Sequence, residues 1–215
     1  MFNRIEPTVV YPPPEFLRVQ PVPETRDTLL LRLRDPADQA AWDEFVELYR
    51  PVIYRIAIAR GLQHADAMDL LQTVFVSVAQ SIDRWEKQTP ATKFRHWLLR
   101  VAKNATLNAV TRRPPDQAGA GVTDLLKAYA RPDDETSSRI DWEYRRQLYN
   151  HAAERVRSEV EPDTWRAFSM TAIDGIKIEV AASELGKSVG TIYASRSRVM
   201  KRLSQAIDEL TGSYE

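Results

Sequence analysis

The stretch that decides the fold is DGIKIEVAASELGKSVGTIYASRSRVMKRL, residues 174–203. Its apolar residues recur at helical spacing on both sides of Gly186, which predicts a helix ending at that glycine and another beginning with Ser188 as its N-cap. Two helices joined by a short glycine-containing turn form a helix-turn-helix. The side chains expected to face inward are Ile178, Ala181, Ala182 and Leu185 on the first helix and Val189, Ile192, Val199 and Leu203 on the second.

The second of these helices exposes cations but no acid. Residues 185–203 contain no Asp or Glu, and the nearest acid before them is Glu184. A helix of this kind suits the major groove of DNA, where its first side chains meet base edges and its cations meet phosphates. A plain helical hairpin with a solvated basic face would give the same pattern, and the missing acids favour DNA over it. The residues expected to contact DNA are Lys187, Ser188, Thr191, Tyr193, Arg196, Arg198 and Arg202.

Another acid-free segment is FRHWLLRVAKNATLNAVTRRPP, residues 94–115. On a helical wheel an apolar stripe separates from a cationic side, and Trp97 and Asn104 lie on a third edge. A solvated helix usually mixes its charges, so the exclusion of carboxylates from residues 87–115 indicates a polyanion alongside. The stripe is Phe94, Leu98, Val101, Ala105 and Ala109, and the cationic side is His96, Arg100 and Lys103.

The segment 65–82 predicts an amphipathic helix with an acidic outer face. Its expected core residues are Ala67, Leu71, Phe75, Val78 and Ile82. The outer residues are Asp66, Asp69, Gln72, Thr73, Val76, Ser77 and Gln80. This face is either an ordinary solvated surface with one stray valine or a docking surface for a basic partner.

Composition bounds the class of protein. The 215 residues carry 30 Lys+Arg and 30 Asp+Glu, so the basic segments indicate local anion binding rather than a generally basic surface. There is no cysteine, which excludes disulfides and thiolate chemistry and favours a reducing compartment. The sequence shows neither a signal peptide nor a membrane span, and we expect a cytoplasmic protein.

Nothing in the sequence predicts an enzyme. His64, His96 and His151 are scattered without metal-ligand spacing, and there is no glycine-rich phosphate loop. Asp66 and Asp69 share a helix face, but no nucleophile or base accompanies them. We therefore expect no catalysis, no metal and no cofactor.

The expected fold is all-α, because helical periodicity runs through most of the chain and no alternating run of β-branched residues predicts a strand. Two small helical domains, 25–113 and 139–215, are expected, joined by a flexible linker at 114–138. The linker is expected to hold one short helix around Leu125–Tyr129. Residues 1–24 form a proline-rich extension that we expect to be disordered.

Three positions in the first domain are expected to end helices: the sequence DPAD at 35–38, Pro51 and Gly61. Proline has no N–H to donate to a helix, and glycine commonly follows a helix C-terminus. Two or three helices are therefore expected between Thr25 and Leu62.

Three motifs in register resemble extracytoplasmic-function (ECF) sigma factors, the minimal two-domain branch of the sigma-70 family. They are DAMDLLQTVFVSV at 66–78, FRHWLLRVAKN at 94–104 and the helix-turn-helix at 174–203, and the resemblance covers roughly residues 26–211. It implies a promoter-recognition subunit that binds core RNA polymerase and promoter DNA. It also implies a chain that is a monomer when free.

The resemblance gives each segment a role. Residues 66–80 would be region 2.2, which docks on the coiled coil of the polymerase β′ subunit. The loop 85–93 and the helix after it would melt and read the −10 element, while the helix-turn-helix would read −35 and contact the β flap. The implied polymerase-binding residues are Asp66, Asp69, Gln72, Thr73 and Val76. The implied −10 residues are Trp85, Lys87, Gln88, Lys93, His96, Arg100, Lys103, Asn104, Arg112 and Arg113.

Departures from the family pattern bear on function. Met68 stands at the second acid of the family's D-A-E-D, and Thr73 replaces the glutamate after the glutamine, so the polymerase-facing helix has less negative charge. A Ser/Thr kinase that phosphorylates Thr73 would restore that charge, and an anti-sigma factor is a further candidate partner. Ser195 and Arg196 stand where the family has Arg and Leu, so promoter specificity is not carried over.

Two other classes of protein fit part of the pattern. A regulator that binds a palindromic operator as a dimer explains residues 177–203, but neither the acid-free helix nor the acidic face. A helical adaptor that binds only proteins predicts that substituting Arg196, Arg198 or Arg202 leaves promoter activity intact.

Overall fold

The computed structural model describes residues 23–89, 91–111 and 134–212, with side chains described through 104 and again from 137. Every regular element in these ranges is helical, in agreement with the all-α fold expected from the sequence. Contacts divide the described chain into two compact units, which we call the N-terminal unit, ending at Tyr144, and the C-terminal unit, beginning at Arg145. None of the described helices is long and apolar enough to cross a membrane.

The N-terminal unit holds four helices and the start of a fifth. They are α1 (Asp27–Arg32), α2 (Gln39–Ala59), α3 (His64–Ala79), α4 (Phe94–Thr111) and the first residues of α5 (Asp134–Glu159), with a 3-10 turn at Ile82–Arg84. Asp38 caps α2, since its carboxylate accepts a 3.0 Å hydrogen bond from the N–H of Ala41. The expected helix ends at DPAD and at Gly61, which has a φ of 91°, are confirmed.

Pro51 does not end α2, contrary to the expectation from the sequence. The proline has no N–H to donate, so the helix lacks one backbone hydrogen bond at that point. The side chains of Leu48, Tyr49, Val52 and Ile53 on either side are all buried. Their packing offsets the missing hydrogen bond, and the helix continues to Ala59.

Aromatic side chains from three helices meet in the core of the N-terminal unit. The ring centroid of Phe45 lies 5.8 Å from Phe75 and 6.0 Å from Phe94, both near edge-to-face. Trp85 joins this cluster from the loop before α4, with its ring 5.5 Å from that of Phe94. These contacts fix α4 against α2 and α3.

The core stripes expected for α3 and α4 are largely confirmed. Ala67, Leu71, Val78, Ile82, Phe94 and Leu98 are buried, and Phe75 and Val101 are half-buried. The side chains of Ala105 and Ala109 lie outside the described residues. The wheel missed Leu70 and Val74, which are also buried because α3 packs against α2 as well as α4.

The C-terminal unit consists of the rest of α5, α6 (Pro162–Phe168), a π-helical turn (Ser169–Ile173), α7 (Ile178–Leu185) and α8 (Val189–Thr211). Gly186 ends α7 with a φ of 61°, a left-handed conformation that favours glycine. Ser188 caps α8, since its hydroxyl oxygen accepts a 3.1 Å hydrogen bond from the N–H of Thr191. The helix-turn-helix is therefore formed at the residues expected.

The inner faces of α7 and α8 agree with the sequence analysis at every position but one. Ala181, Ala182, Ile192, Val199 and Leu203 are buried, and Ile178 and Leu185 are half-buried. Val189, which was expected inside, is 41% exposed. It is the first residue after the N-cap and lies on the outer side of the first turn, whereas Ile192 one turn later points inward.

The boundaries of the linker and the extension need correction. Helix α5 begins at Asp134, inside the segment expected to be a linker, and its acidic first turn suits a helix N-terminus. Residues 139–144, assigned to the second domain from the sequence, lie in the N-terminal unit. Pro23 and Glu24 also pack there, against Arg95. The rest of the extension, and the short helix expected around Leu125–Tyr129, lie outside the described residues.

Candidate nucleic-acid and partner surfaces

The outer face of α3 presents two carboxylates and an apolar side chain to solvent. Asp66, Asp69 and Gln72 are exposed, and Val76 is 56% exposed. Thr73 is half-buried, and its hydroxyl donates a 2.9 Å hydrogen bond to the carbonyl of Asp69. The five residues expected to bind a partner therefore share one face, with four of them open to contact.

Trp85 is a core residue rather than an open stacking platform. Only 6% of it is exposed, and its ring lies 5.6 Å from that of Trp97. Its carbonyl accepts a 2.9 Å hydrogen bond from Nη2 of Arg34. Trp85 therefore shapes the surface beside it by supporting Trp97, which is half-buried.

The cations at the start of α4 are paired with acids from distant parts of the chain. Nζ of Lys93 lies 3.2 Å from Oδ2 of Asp141, and Nε2 of His96 lies 3.4 Å from its Oδ1. Arg95 is fully buried and also forms an ion pair with Asp141. Nη1 of Arg95 lies 3.3 Å from Oε2 of Glu24. Residues 87–115 contain no acid, but the fold brings Asp141 and Glu24 to these side chains.

This cluster shifts the protonation of its members. Burial alone would raise the pKa of Asp141, but the hydrogen bonds and positive charges of Arg95 and Lys93 outweigh it and hold that pKa below its usual value. Burial lowers the pKa of His96, and the two neighbouring cations act in the same direction against the attraction of Asp141. His96 is therefore harder to protonate in the folded chain than an exposed histidine.

Arg95 is the most important residue that the sequence analysis did not select. It precedes Leu98, Leu99 and Ala102 by three, four and seven positions, a spacing that places it on the buried side of α4. That signal was present in the sequence. Its carboxylate partner was not predictable locally, because Asp141 lies 46 residues away along the chain.

An open pocket of about 460 Å³ lies between the end of α3, the 3-10 turn and α4. Trp97 forms an aromatic wall, the exposed Asn104 supplies an amide, and Arg84 a guanidinium. The described lining residues are Ser77, Gln80, Ser81, Arg84, Trp97, Val101 and Asn104, with no carboxylate among them. An aromatic face with amide and hydroxyl groups suits a planar base, which stacks and forms hydrogen bonds at its edges.

Four of these lining residues were missed or assigned elsewhere by the sequence analysis. Ser77 and Gln80 were placed on the acidic outer face of α3, and Ser81 and Arg84 were not considered. They reach the pocket because α3 ends at Ala79 and the chain turns there beside α4. Only the packing of the two helices shows this.

The other residues expected at −10 take varied positions. Lys87 is exposed, and its Nζ lies 3.8 Å from Oδ2 of Asp27. Gln88 and Arg100 are exposed, and Lys103 is half-buried. Arg112 and Arg113 lie outside the described residues.

The polar residues expected to contact DNA lie at the start of α8 and along it, on both sides of its buried stripe. Lys187, Ser188, Thr191, Tyr193 and Arg198 are exposed, and Arg196 and Arg202 are half-buried. Lys187 Nζ lies 2.9 Å from Oδ2 of Asp163, and Nη1 of Arg202 lies 3.5 Å from Oε2 of Glu159. Such exposed ion pairs contribute little and exchange readily for phosphate. Ser195 is buried, so α8 turns this residue inward and leaves Arg196 at the edge of the packing.

These features define a class of protein: its described regular elements are all helical, one unit carries a helix-turn-helix, and the other carries an open polar pocket, both of a kind that suits nucleic acid. No cluster of three or more His, Cys, Asp or Glu that could hold a metal occurs among the described residues.

Comparison with known proteins narrows this class. The Sigma-70 region 2 family model matches residues 45–114. The chain is 29% identical over 180 residues to the RNA polymerase sigma factor CarQ of Myxococcus xanthus, covering 83% of this chain and 95% of that protein. It is 26% identical over 181 residues to the ECF RNA polymerase sigma factor SigE of Mycolicibacterium smegmatis, covering 82% of this chain and 64% of that protein's length. A solved structure of CnrH in complex with the cytosolic domain of CnrY aligns with 85% of this chain and 96% of that chain, at 19% identity and a TM-score of 0.33.

Residues 45–114 thus match region 2 of the sigma-70 family, and most of the chain is similar in sequence to extracytoplasmic-function RNA polymerase sigma factors. The resemblance drawn from its three motifs is thereby confirmed.

Proposed function

We propose that the chain is a promoter-recognition subunit of RNA polymerase, which directs transcription initiation and has no catalysis of its own. The observation that carries this proposal is the polar pocket beside Trp97 and Asn104, on the helix that excludes carboxylates. DNA opening requires that a base leaves the stack, and a pocket that accepts it lowers the cost of that step. In this proposal the −10 element is held along α4, with the displaced base in the pocket.

The acidic face of α3 is proposed as the surface that docks on core polymerase, at the coiled coil of the β′ subunit. Its exposed carboxylates, Asp66 and Asp69, lie on the same face as the exposed apolar Val76, a combination that supports docking by both charge and burial. Phosphate on Thr73 would add negative charge to this face, although the hydroxyl now donates to the carbonyl of Asp69.

The helix-turn-helix is proposed to read the −35 element through the start of α8. Thr191 and Tyr193 would face base edges, and Arg198 a phosphate, since all three are exposed on the same helix. The β flap and an anti-sigma factor remain the further partners implied by the family.

Two sets of variants test the division of labour within the N-terminal unit. Charge reversal by Asp69→Lys with Gln72→Lys should weaken binding to core polymerase, because both side chains are exposed on the docking face. Asn104→Asp should leave core binding intact and impair promoter opening, because it places a carboxylate in the pocket that receives the strand. Changes in residues 88–93 should likewise alter −10 selection only.

The assay is run-off transcription with core polymerase on a genomic promoter library, with start sites sequenced and core affinity measured in parallel. Equal loss of core affinity in both sets of variants would contradict the assignment. A chain that elutes as a dimer, binds a palindrome and starts no transcription with core polymerase would instead be an operator-binding regulator.

A further inference from the structure

Residues 140–144 of α5, which we call the α5 strap, belong to the N-terminal unit and pack against its helices α2 and α4. Ile140 is fully buried and packs against Val52 and Ile56 of α2, with Leu99 of α4 beside it. The strap therefore bridges α2 and α4 through an apolar contact as well as through charge.

Polar anchors hold both sides of the strap. Nε of Arg55 on α2 donates a 2.6 Å hydrogen bond to Oε2 of Glu143, and Nη2 of the same arginine lies 3.4 Å from the Glu143 carbonyl. The ring of Tyr144 stacks on Tyr49 at 5.5 Å, and the guanidinium of Arg95 lies 5.0 Å from its centroid.

Asp141 lies in the strap, where its carboxylate accepts hydrogen bonds from Lys93 and Arg95 and lies 3.4 Å from Nε2 of His96. Lys93 and His96 are among the residues that the family resemblance assigns to the −10 element, which the proposed function places along α4. In this structure both side chains lie beside Asp141. The negative charge of Asp141 therefore offsets positive charge at the surface that a nucleic acid would meet.

The cluster leaves hydrogen-bonding capacity unused. Nη2 of Arg95 and Nε2 of His96 are buried without a hydrogen bond. Unused donors of this kind are costly in a protein interior. A phosphate group offers more acceptor oxygens than one aspartate, so it can take up donors that Asp141 leaves unsatisfied.

We propose that the α5 strap is an autoinhibitory cover: in the free chain Asp141 holds the cations at the start of α4, and promoter phosphates displace it when the strap lifts. This inference rests on the proposed function, because it requires DNA along α4. It adds that the affinity of α4 for DNA is set by competition with an acid carried by the chain itself.

The test compares Asp141→Asn with Glu154→Gln in the full chain bound to core polymerase. Both variants remove one negative charge from α5, but Glu154 is exposed and lies outside the strap. Freeing Lys93 for one more phosphate should make the slope of log affinity against log salt steeper by about 0.9, or binding roughly 5–10-fold tighter near 0.1 M salt. Promoter affinity and salt slope equal to those of Glu154→Gln would overturn the proposal.

A second measurement uses the unaltered protein and so does not depend on how Asp141→Asn folds. Amide hydrogen exchange across residues 140–144 should be faster in the complex with core polymerase and promoter DNA than in the free chain. Exchange that is unchanged or slower in the complex would overturn the strap as a cover. Failure of the unaltered holoenzyme to bind any promoter would overturn the proposed function and this inference together, whereas the first two results overturn the inference alone.

Discussion

Replacing Arg95 with methionine tests the electrostatic core of the N-terminal unit. The side chain is 0% exposed and contacts two carboxylates, Asp141 and Glu24, besides donating a 3.0 Å hydrogen bond to the carbonyl of Pro23. Methionine keeps the apolar part of the side chain but removes the charge. The variant therefore leaves a partly buried aspartate with a weaker set of partners.

The loss in free energy of unfolding depends on how well Asp141 and Glu24 remain paired or hydrated in the variant. Removing one partner of a buried ion pair costs about 3–5 kcal/mol, because the other charge is left uncompensated. Asp141 keeps Lys93 at 3.2 Å, and Glu24 is 35% exposed and can be hydrated, so the lower end of about 3 kcal/mol is expected. For a unit of this size, that lowers Tm by about 10–15 °C.

Calorimetric unfolding of the full chain measures the change, with Arg26→Met as the control. Arg26 pairs with Glu44 in the same unit, but its side chain is 29% exposed, and the loss should be about 0–1 kcal/mol. The double variant Arg95→Met with Asp141→Asn should cost about 2 kcal/mol less than the sum of the singles, because neither charge then lacks its partner. A Tm for Arg95→Met equal to that of the control would refute this reasoning.

Two further predictions concern pH and backbone conformation. Burial lowers the pKa of His96 below its value in the unfolded chain, so the unfolded chain binds a proton at this residue more readily than the folded chain does. The free energy of unfolding therefore has its full value above about pH 6.5, and it decreases as the pH falls below that value toward the lowered pKa. Urea unfolding should therefore show a decline in stability between pH 7.5 and 5.5 that is smaller in His96→Gln, and an identical decline in both proteins would contradict the assignment. Gly186→Ala should destabilise the C-terminal unit by about 1 kcal/mol through its φ of 61° alone, since nothing lies within 4 Å of the added Cβ. Thermal unfolding should show Gly186→Asn to be milder, and equal stability of Gly186→Ala and the unaltered chain would disprove the conformational cost.

The features that were predictable from the sequence are those with a local cause. The helix-turn-helix could be placed to the residue because Gly186 ends one helix and Ser188 caps the next, and both effects act within one turn. The outer face of α3 followed from helical periodicity in the same way.

The features that were not predictable depend on contacts between distant segments. The absence of acids around α4 correctly marked an unusual helix, but the acid that pairs with Lys93 and Arg95 arrives on α5. Continuation of α2 through Pro51 depends on the core packed around it, and the pocket beside Trp97 depends on where the chain turns after α3. Neither can be derived from a helical wheel of one segment.

The burial of Ile140 has a practical consequence for dissecting the protein. A fragment cut at residue 113 would lose the side chain that covers Val52 and Ile56, and would expose apolar side chains that are buried in the structure. Such a fragment is expected to aggregate, and its failure would be misread as an intrinsic instability of the first four helices. An isolated N-terminal piece should instead carry residues 134–144, supplied in continuity or as a separate peptide that restores its solubility.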